Sequence, residues 1–220
     1  MHGYLSNGES FNVQKSLLKK DFNVYSPDLK GFGNNKDMPY PYALIDYVNE
    51  VKDYIKINSI VSPSVIAHSF GGRVILKALL DGDGASLFNK IVLVDSAGLK
   101  PKKTIKKHLK KITFNVLKHF INRERLGRFY SSDYLALDDM MKQSFIKVIS
   151  ENFDKRLSEI KNPTLIVYGE NDKETPLYMA KRFHVGIEGS KLIVIKNAGH
   201  FCFLNSPMKF YMEVKEFLLS

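Results

Sequence analysis

Five short, mainly apolar runs limit the fold of this 220-residue chain more than any other feature; they lie at residues 22–27, 64–67, 90–95, 164–168 and 191–195. Each reads as a strand buried on both faces, because its apolar residues do not alternate regularly with polar ones. Helical stripes lie between them. Residues 42–57 place Leu44, Ile45, Val48, Val51 and Ile55 on one side of a helix. Residues 72–80, 176–183 and 207–219 read as further helices, the first stopped by Asp81-Gly82 and the last opened by Pro207. Runs alternating with helices predict an α/β fold, a mostly parallel sheet with crossover helices.

The alternation breaks between residues 99 and 160, where the pattern gives helices at 104–121, 132–141 and 143–153 and no strand. The expectation is a helical cap, residues 99–160, inserted into a core made of residues 1–98 and 161–220. Charge is concentrated in the same interval. Residues 100–128 hold eleven Lys/Arg and one acid, Glu124, so this segment alone carries the net charge of +10. Ile105, Leu109, Ile112, Val116 and Phe120 fall at spacings of three and four, with the lysines on the other side. The plainest account is a cap helix with a solvated basic face. The alternative is weak association of that helix with an anionic membrane surface. Nucleic acid is disfavoured, because no exposed aromatics interleave with the lysines.

A single cysteine, Cys202, leaves no internal disulfide to form and makes a cytoplasmic location the simplest expectation. No stretch approaches the eighteen apolar residues of a membrane-spanning helix. The opening Met1-His2-Gly3-Tyr4 has the pattern of neither a signal peptide nor a transit sequence.

Chemistry gathers at strand ends. Ile66-Ala67-His68-Ser69-Phe70-Gly71-Gly72 runs from a strand straight into a helix, with Ser69 at the turn and Ala67 and Gly71 two residues to either side. Larger side chains at those positions would collide, so the pattern suits a strained, exposed nucleophile; a serine capping the next helix is the plainer account. Asn197-Ala198-Gly199-His200-Phe201 follows the last strand and supplies a base able to take and return a proton. His108, His119 and His184 carry no such context. Past the fourth run, Asp172 is the chosen carboxylate to orient His200, with Glu170, Glu174 and above all Asp95 as rivals. The order Ser69, Asp172, His200, each after its own strand, weighs more than the three motifs separately. Asp28, Gly31 and Gly33 read as a structural turn.

His2-Gly3, residues 28–33, 67–72 and 163–176, and Gly199-His200-Phe201 together resemble the α/β-hydrolase superfamily over essentially the whole chain. The resemblance implies an eight-stranded, mostly parallel sheet, a cap after the sixth strand, and acyl transfer through a covalent Ser69 intermediate. It implies no metal or organic cofactor. Backbone N–H groups of Tyr4 and Phe70 would form the oxyanion hole, and Tyr4, His68 and Phe201 would line the pocket of a small acyl substrate. Serine at the turn argues against the haloalkane dehalogenase and epoxide hydrolase branches, and one glycine after His2 differs from the multi-glycine loop of many carboxylesterases. The expected reaction is hydrolysis of an ester, thioester or lactone. The alternatives are carbon–carbon bond hydrolysis, perhydrolysis, or a hydrolase-like domain without catalysis. In the family the His-Gly loop follows a third strand that lies between the fourth and fifth. Here the sequence opens at that loop, so the first three strands are expected to be lacking and the true start to lie upstream of Met1; without those strands the fourth and fifth would either close up directly or keep unpaired edges. Oligomeric state is left open.

Overall fold

The computed structural model describes residues 1–102 and 137–220. Among them is one four-stranded parallel sheet, β1 (Val65–His68), β2 (Ile91–Val94), β3 (Thr164–Gly169) and β4 (Lys191–Ile195), in sequence order. Val65 pairs with Ile91, Ile91 with Thr164, and Leu165 with Lys191, so the carboxyl ends of all four strands finish at one rim. Every residue of β2 and β3 is buried, as continuous apolar runs require of central strands. At β4 Lys191 is exposed and the next three residues are half-buried, which marks an edge.

Side chains of successive residues go to opposite layers. Ile91, Leu93, Ile166 and Tyr168 enter a cluster with Tyr47, Val48, Val74, Ile75 and Phe183. These belong to α2 (Leu44–Ile57), α3 (Phe70–Asp81) and α6 (Leu177–Gly186). Val92, Val94, Leu165 and Val167 enter another with Phe203, Phe210 and Val214, carried by α7 (Cys202–Asn205) and α8 (Pro207–Leu219). Phe11 joins this second cluster just before α1 (Asn12–Leu18). Helices therefore cover both faces, the arrangement expected of a parallel sheet. A short α4 (Gly84–Leu87) leads from α3 toward β2.

The run at 22–27 is the departure. Residues 23–27 adopt no regular element, and their backbones make no backbone–backbone hydrogen bond among the described residues. A strand exists only where a ladder partner does. Here a cavity of about 730 Å³ lies between this segment and β1, lined by Tyr25 and Ser26 on one side and Val65 and Ile66 on the other. Among the described residues, the outer edge of β1 is covered at its carboxyl end, where Met1 C=O accepts His68 N–H at 3.0 Å and the Met1 amino group donates to Ile66 C=O at 2.5 Å. The two segments do not close up. The eight strands implied by the family resemblance are four among the described residues.

Of the expected cap, the 104–121 helix lies outside the described residues, as does most of 132–141. Within them the anticipated break near residue 142 is absent. One helix, α5 (Asp139–Ser150), runs across it, because Asp138 caps the start by accepting Met141 N–H at 2.7 Å. This helix is tied to the core. Buried Arg73 donates to the Val148 and Glu151 carbonyls, and Ser144 Oγ accepts Tyr42 N–H at 2.8 Å. No helix among the described residues is long and apolar enough to cross a membrane.

Candidate active site

Ser69 is the single residue between the end of β1 at His68 and the start of α3 at Phe70. Its backbone is left-handed, φ 50° and ψ −110°, a conformation that costs a non-glycine residue free energy and points its side chain out of the turn. The neighbours must be small. A Cβ on Gly71 would sit 2.8 Å from His2 C=O and 2.9 Å from Met1 C=O, and one on Gly72 would sit 2.0 Å from Ser96 Oγ. Ala67 is wholly buried.

His200 lies in the loop after β4, where Asn197 takes φ 58° to reverse the chain. Ser69 Oγ is 3.0 Å from His200 Nε2, and His200 Nδ1 is 2.8 Å from Asp172 Oδ2. With Nδ1–H donating to the carboxylate, the Nε2 lone pair faces the serine hydroxyl. Asp172 Oδ1 accepts Glu174 N–H at 2.8 Å and Thr175 N–H at 3.0 Å, while Oδ2 also takes the Thr175 hydroxyl at 2.6 Å. Burial works against the charge on Asp172, yet the donors from His200 and Thr175 outweigh it and hold the carboxyl below its usual range. Burial likewise pushes the His200 imidazole down, and the Asp172 carboxylate reverses this and raises it above 6.5.

The rival carboxylates go elsewhere. Glu170 accepts Asn197 N–H at 3.0 Å and Glu174 is exposed. Asp95 Oδ1 accepts Gly169 N–H at 2.8 Å and Oδ2 accepts Cys202 N–H at 3.2 Å.

On the other side of Ser69, Phe70 is the first residue of α3, so its N–H has no intrahelical acceptor. The Tyr4 ring packs edge-on against Phe32 and Phe70, and its hydroxyl donates to Met141 C=O at 3.0 Å, linking the N-terminal loop to α5. His68, assigned to the pocket from sequence, is 1% exposed, and its Nε2–H donates to His200 C=O at 2.7 Å. Burial lowers its pKa to about 3, so the ring is neutral and serves as a prop beneath His200. Phe201 is the ring that reaches the surface, 42% exposed, with centroids 5.0 Å from His68 and 5.6 Å from His200. His2 is wholly buried; its Nδ1–H donates to Gly3 C=O and its Nε2 accepts Leu29 N–H at 3.0 Å. Asp28 holds the 28–33 turn by accepting Gly8 N–H and Asn34 N–H, as a structural residue there should.

Sequence reasoning missed Thr175, which reads as an ordinary residue before a helix-opening proline. It also missed the bracing roles of His2 and His68.

A family model described as the alpha/beta hydrolase family matches residues 1–214. Among curated proteins, the chain is 25% identical over 247 residues to the AB hydrolase superfamily protein YisY of Bacillus subtilis, covering 99% of this chain and 89% of that one. It is 28% identical over 194 residues to a 2-hydroxy-6-oxononadienedioate/2-hydroxy-6-oxononatrienedioate hydrolase of Pseudomonas putida, covering 80% of this chain and 66% of the relative. An esterase structure from Exiguobacterium antarcticum superposes with a TM-score of 0.78 at 24% identity, over 100% of this chain and 90% of that one, a likeness of fold.

Proposed function

The chain belongs to the alpha/beta hydrolase family, and from that premise we propose that it is a serine hydrolase cleaving a carboxylic ester, thioester or lactone through an acyl-enzyme. The observation that carries the reading is the unbroken line from the Ser69 hydroxyl through the two nitrogens of His200 to the Asp172 carboxylate. Ser69 Oγ attacks the carbonyl carbon as its proton passes to His200 Nε2. The imidazolium is stabilised by Asp172 and then delivers that proton to the leaving oxygen or sulfur. The tetrahedral oxyanion accepts the N–H groups of Phe70 and Tyr4. Water then enters, loses a proton to His200, and releases the acid and Ser69.

A fluorophosphonate probe tests this directly. It labels Ser69 in the wild type, and Ser69→Ala removes both the label and about 10³-fold or more of the turnover of short p-nitrophenyl esters. A folded, unlabelled wild type would refute the reading.

The Pseudomonas putida relative named as a 2-hydroxy-6-oxononadienedioate/2-hydroxy-6-oxononatrienedioate hydrolase favours a second reading, hydrolysis of a carbon–carbon bond by the same three side chains. Turnover of a 2-hydroxy-6-oxo dienoate at a kcat/KM far above that of any ester would select it.

A further inference from the structure

We propose that Asp95 is a positioning residue that holds the Asp172 turn and the His200 turn at the spacing their hydrogen bond needs. Asp95 follows β2, the strand flanked by β1 and β3, and it is wholly buried with φ 42°, a strained backbone for a non-glycine residue. Its carboxyl reaches both loops at once. Oδ1 takes Gly169 N–H, at the root of the turn that carries Asp172, and Oδ2 takes Cys202 N–H, two residues past His200.

The two turns already lie close together. Asn171 N–H donates to Ala198 C=O at 2.8 Å, and a Cβ on Gly169 would meet Gly199 C=O at 2.1 Å. These contacts press the loops against each other but do not set how far they stand above the sheet. Asp95 does, because it rises from the end of β2 between the loops and takes one N–H from each, whereas Glu170 links them from within the Asp172 turn by accepting Asn197 N–H. It does not reach His200: the imidazole Nδ1 partner is Asp172 Oδ2. Asp95 therefore acts through the two turns. The charged and titratable groups around it are Asp172, His200, Cys202 and Tyr168, with His68 and Glu174 facing His200.

The inference rests on the serine-hydrolase reading, and the test separates the two. In Asp95→Asn the amide oxygen can still accept one N–H, while the other meets an NH2 group that cannot accept. The expected result is a kcat lower by about 10- to 100-fold at nearly constant KM, since a small misplacement of reacting groups has that order of effect. The acid limb of kcat/KM moves to lower pH, because a looser Asp172–His200 contact raises the imidazole pKa less. Fluorophosphonate still labels Ser69, only more slowly.

A purely structural role would lower the melting temperature and leave kcat of the folded variant within about twofold of the wild type, which overturns the proposal whatever the limb does, because loss of the Asp95 charge also lowers the imidazole pKa directly. An unchanged kcat with an unchanged pH profile overturns it too. A wild type that neither hydrolyses esters nor takes the probe overturns the hydrolase reading itself. A second measurement needs no variant. In the wild type the Gly169 and Cys202 amides are expected to exchange as slowly as the core of β3, and rapid exchange at either one overturns the clamp.

Discussion

The two flanks of Ser69 are built differently. Toward β2, β3 and β4 the backbone runs in three parallel ladders, and Val92, Val94, Ile166 and Val167 are wholly buried between helical layers. Toward residues 1–29 the outer edge of β1 is hydrogen-bonded, among the described residues, by Met1 alone, a cavity of about 730 Å³ intervenes, and residues 23–27 run without a ladder. The base and its carboxylate stand on the first flank; the Tyr4 side of the oxyanion site stands on the second. In the proposed mechanism proton transfer is thus mounted on the laddered part of the molecule, and oxyanion stabilisation would lean on a short loop fixed by side chains, chiefly His2 between Gly3 and Leu29 and Tyr4 on Met141.

The sharpest way to break this contrast is on the stiff flank. Asp172→Asn should lower kcat by about 10³- to 10⁴-fold, because the amide can hold the imidazole in the wrong tautomer. The fold should survive, since one amide oxygen can still accept the Glu174 and Thr175 N–H groups. A kcat within tenfold of the wild type would show that another group orients His200.

Next comes local stability. Amides of Asn23, Val24, Tyr25 and Ser26 are expected to exchange at least about 10²-fold faster than those of Leu165, Ile166 and Val167 under the same conditions. Equal protection would mean that the cavity edge is as firmly held as the sheet, and the contrast would fall.

His2→Ala probes the weaker flank by chemistry. It leaves Leu29 N–H and Gly3 C=O without their buried partner, a loss of about 1–3 kcal/mol. The melting temperature should drop by several degrees, while fluorophosphonate labelling of Ser69 persists. An unchanged melting temperature would remove His2 as the brace.

These differences also mark what was legible in the sequence. The four paired strands announced themselves because continuous apolar runs need burial on both faces. The run at 22–27 holds Phe22, Val24 and Tyr25 but is interrupted by Asn23, Ser26 and Pro27, and a strand also depends on a neighbour, which is not written in the run itself. The Ser69 turn was legible from the steric demand for small residues, although Gly72, which a Cβ would drive into Ser96, carries the tightest of those contacts. Asp172 and Asp95 could not be separated by position, both being carboxylates just past strand ends. What separates them is the local supply of donors. Thr175 and two backbone N–H groups gather on Asp172 and leave Oδ2 facing His200, while Gly169 and Cys202 occupy both oxygens of Asp95. His68 lies under His200 because strand residues next to an outward turn point the other way, a consequence of pleating that motif matching ignores.

The smallest expected effect compares the two flanks by pH. Burial lowers His2 to about 4 from an ordinary 6.5, whereas Asp172 holds His200 above 6.5. For His2 the unfolded chain binds the proton first, so its contribution is complete above about 6.5 and is lost as pH falls toward 4. For His200 the folded state binds the proton more tightly, so its contribution is complete below about 6.5 and declines as pH rises through the folded value. Ester hydrolysis needs the neutral imidazole, and kcat/KM should therefore fall on the acid side of a pKa above 6.5. Protection of the Leu29 amide, whose N–H rests on His2, should fall only at lower pH, between about 6 and 4, after the loss of activity from His200 protonation is already well advanced. Coincident midpoints would show that one event governs both, and the two flanks would have to be treated as a single unit.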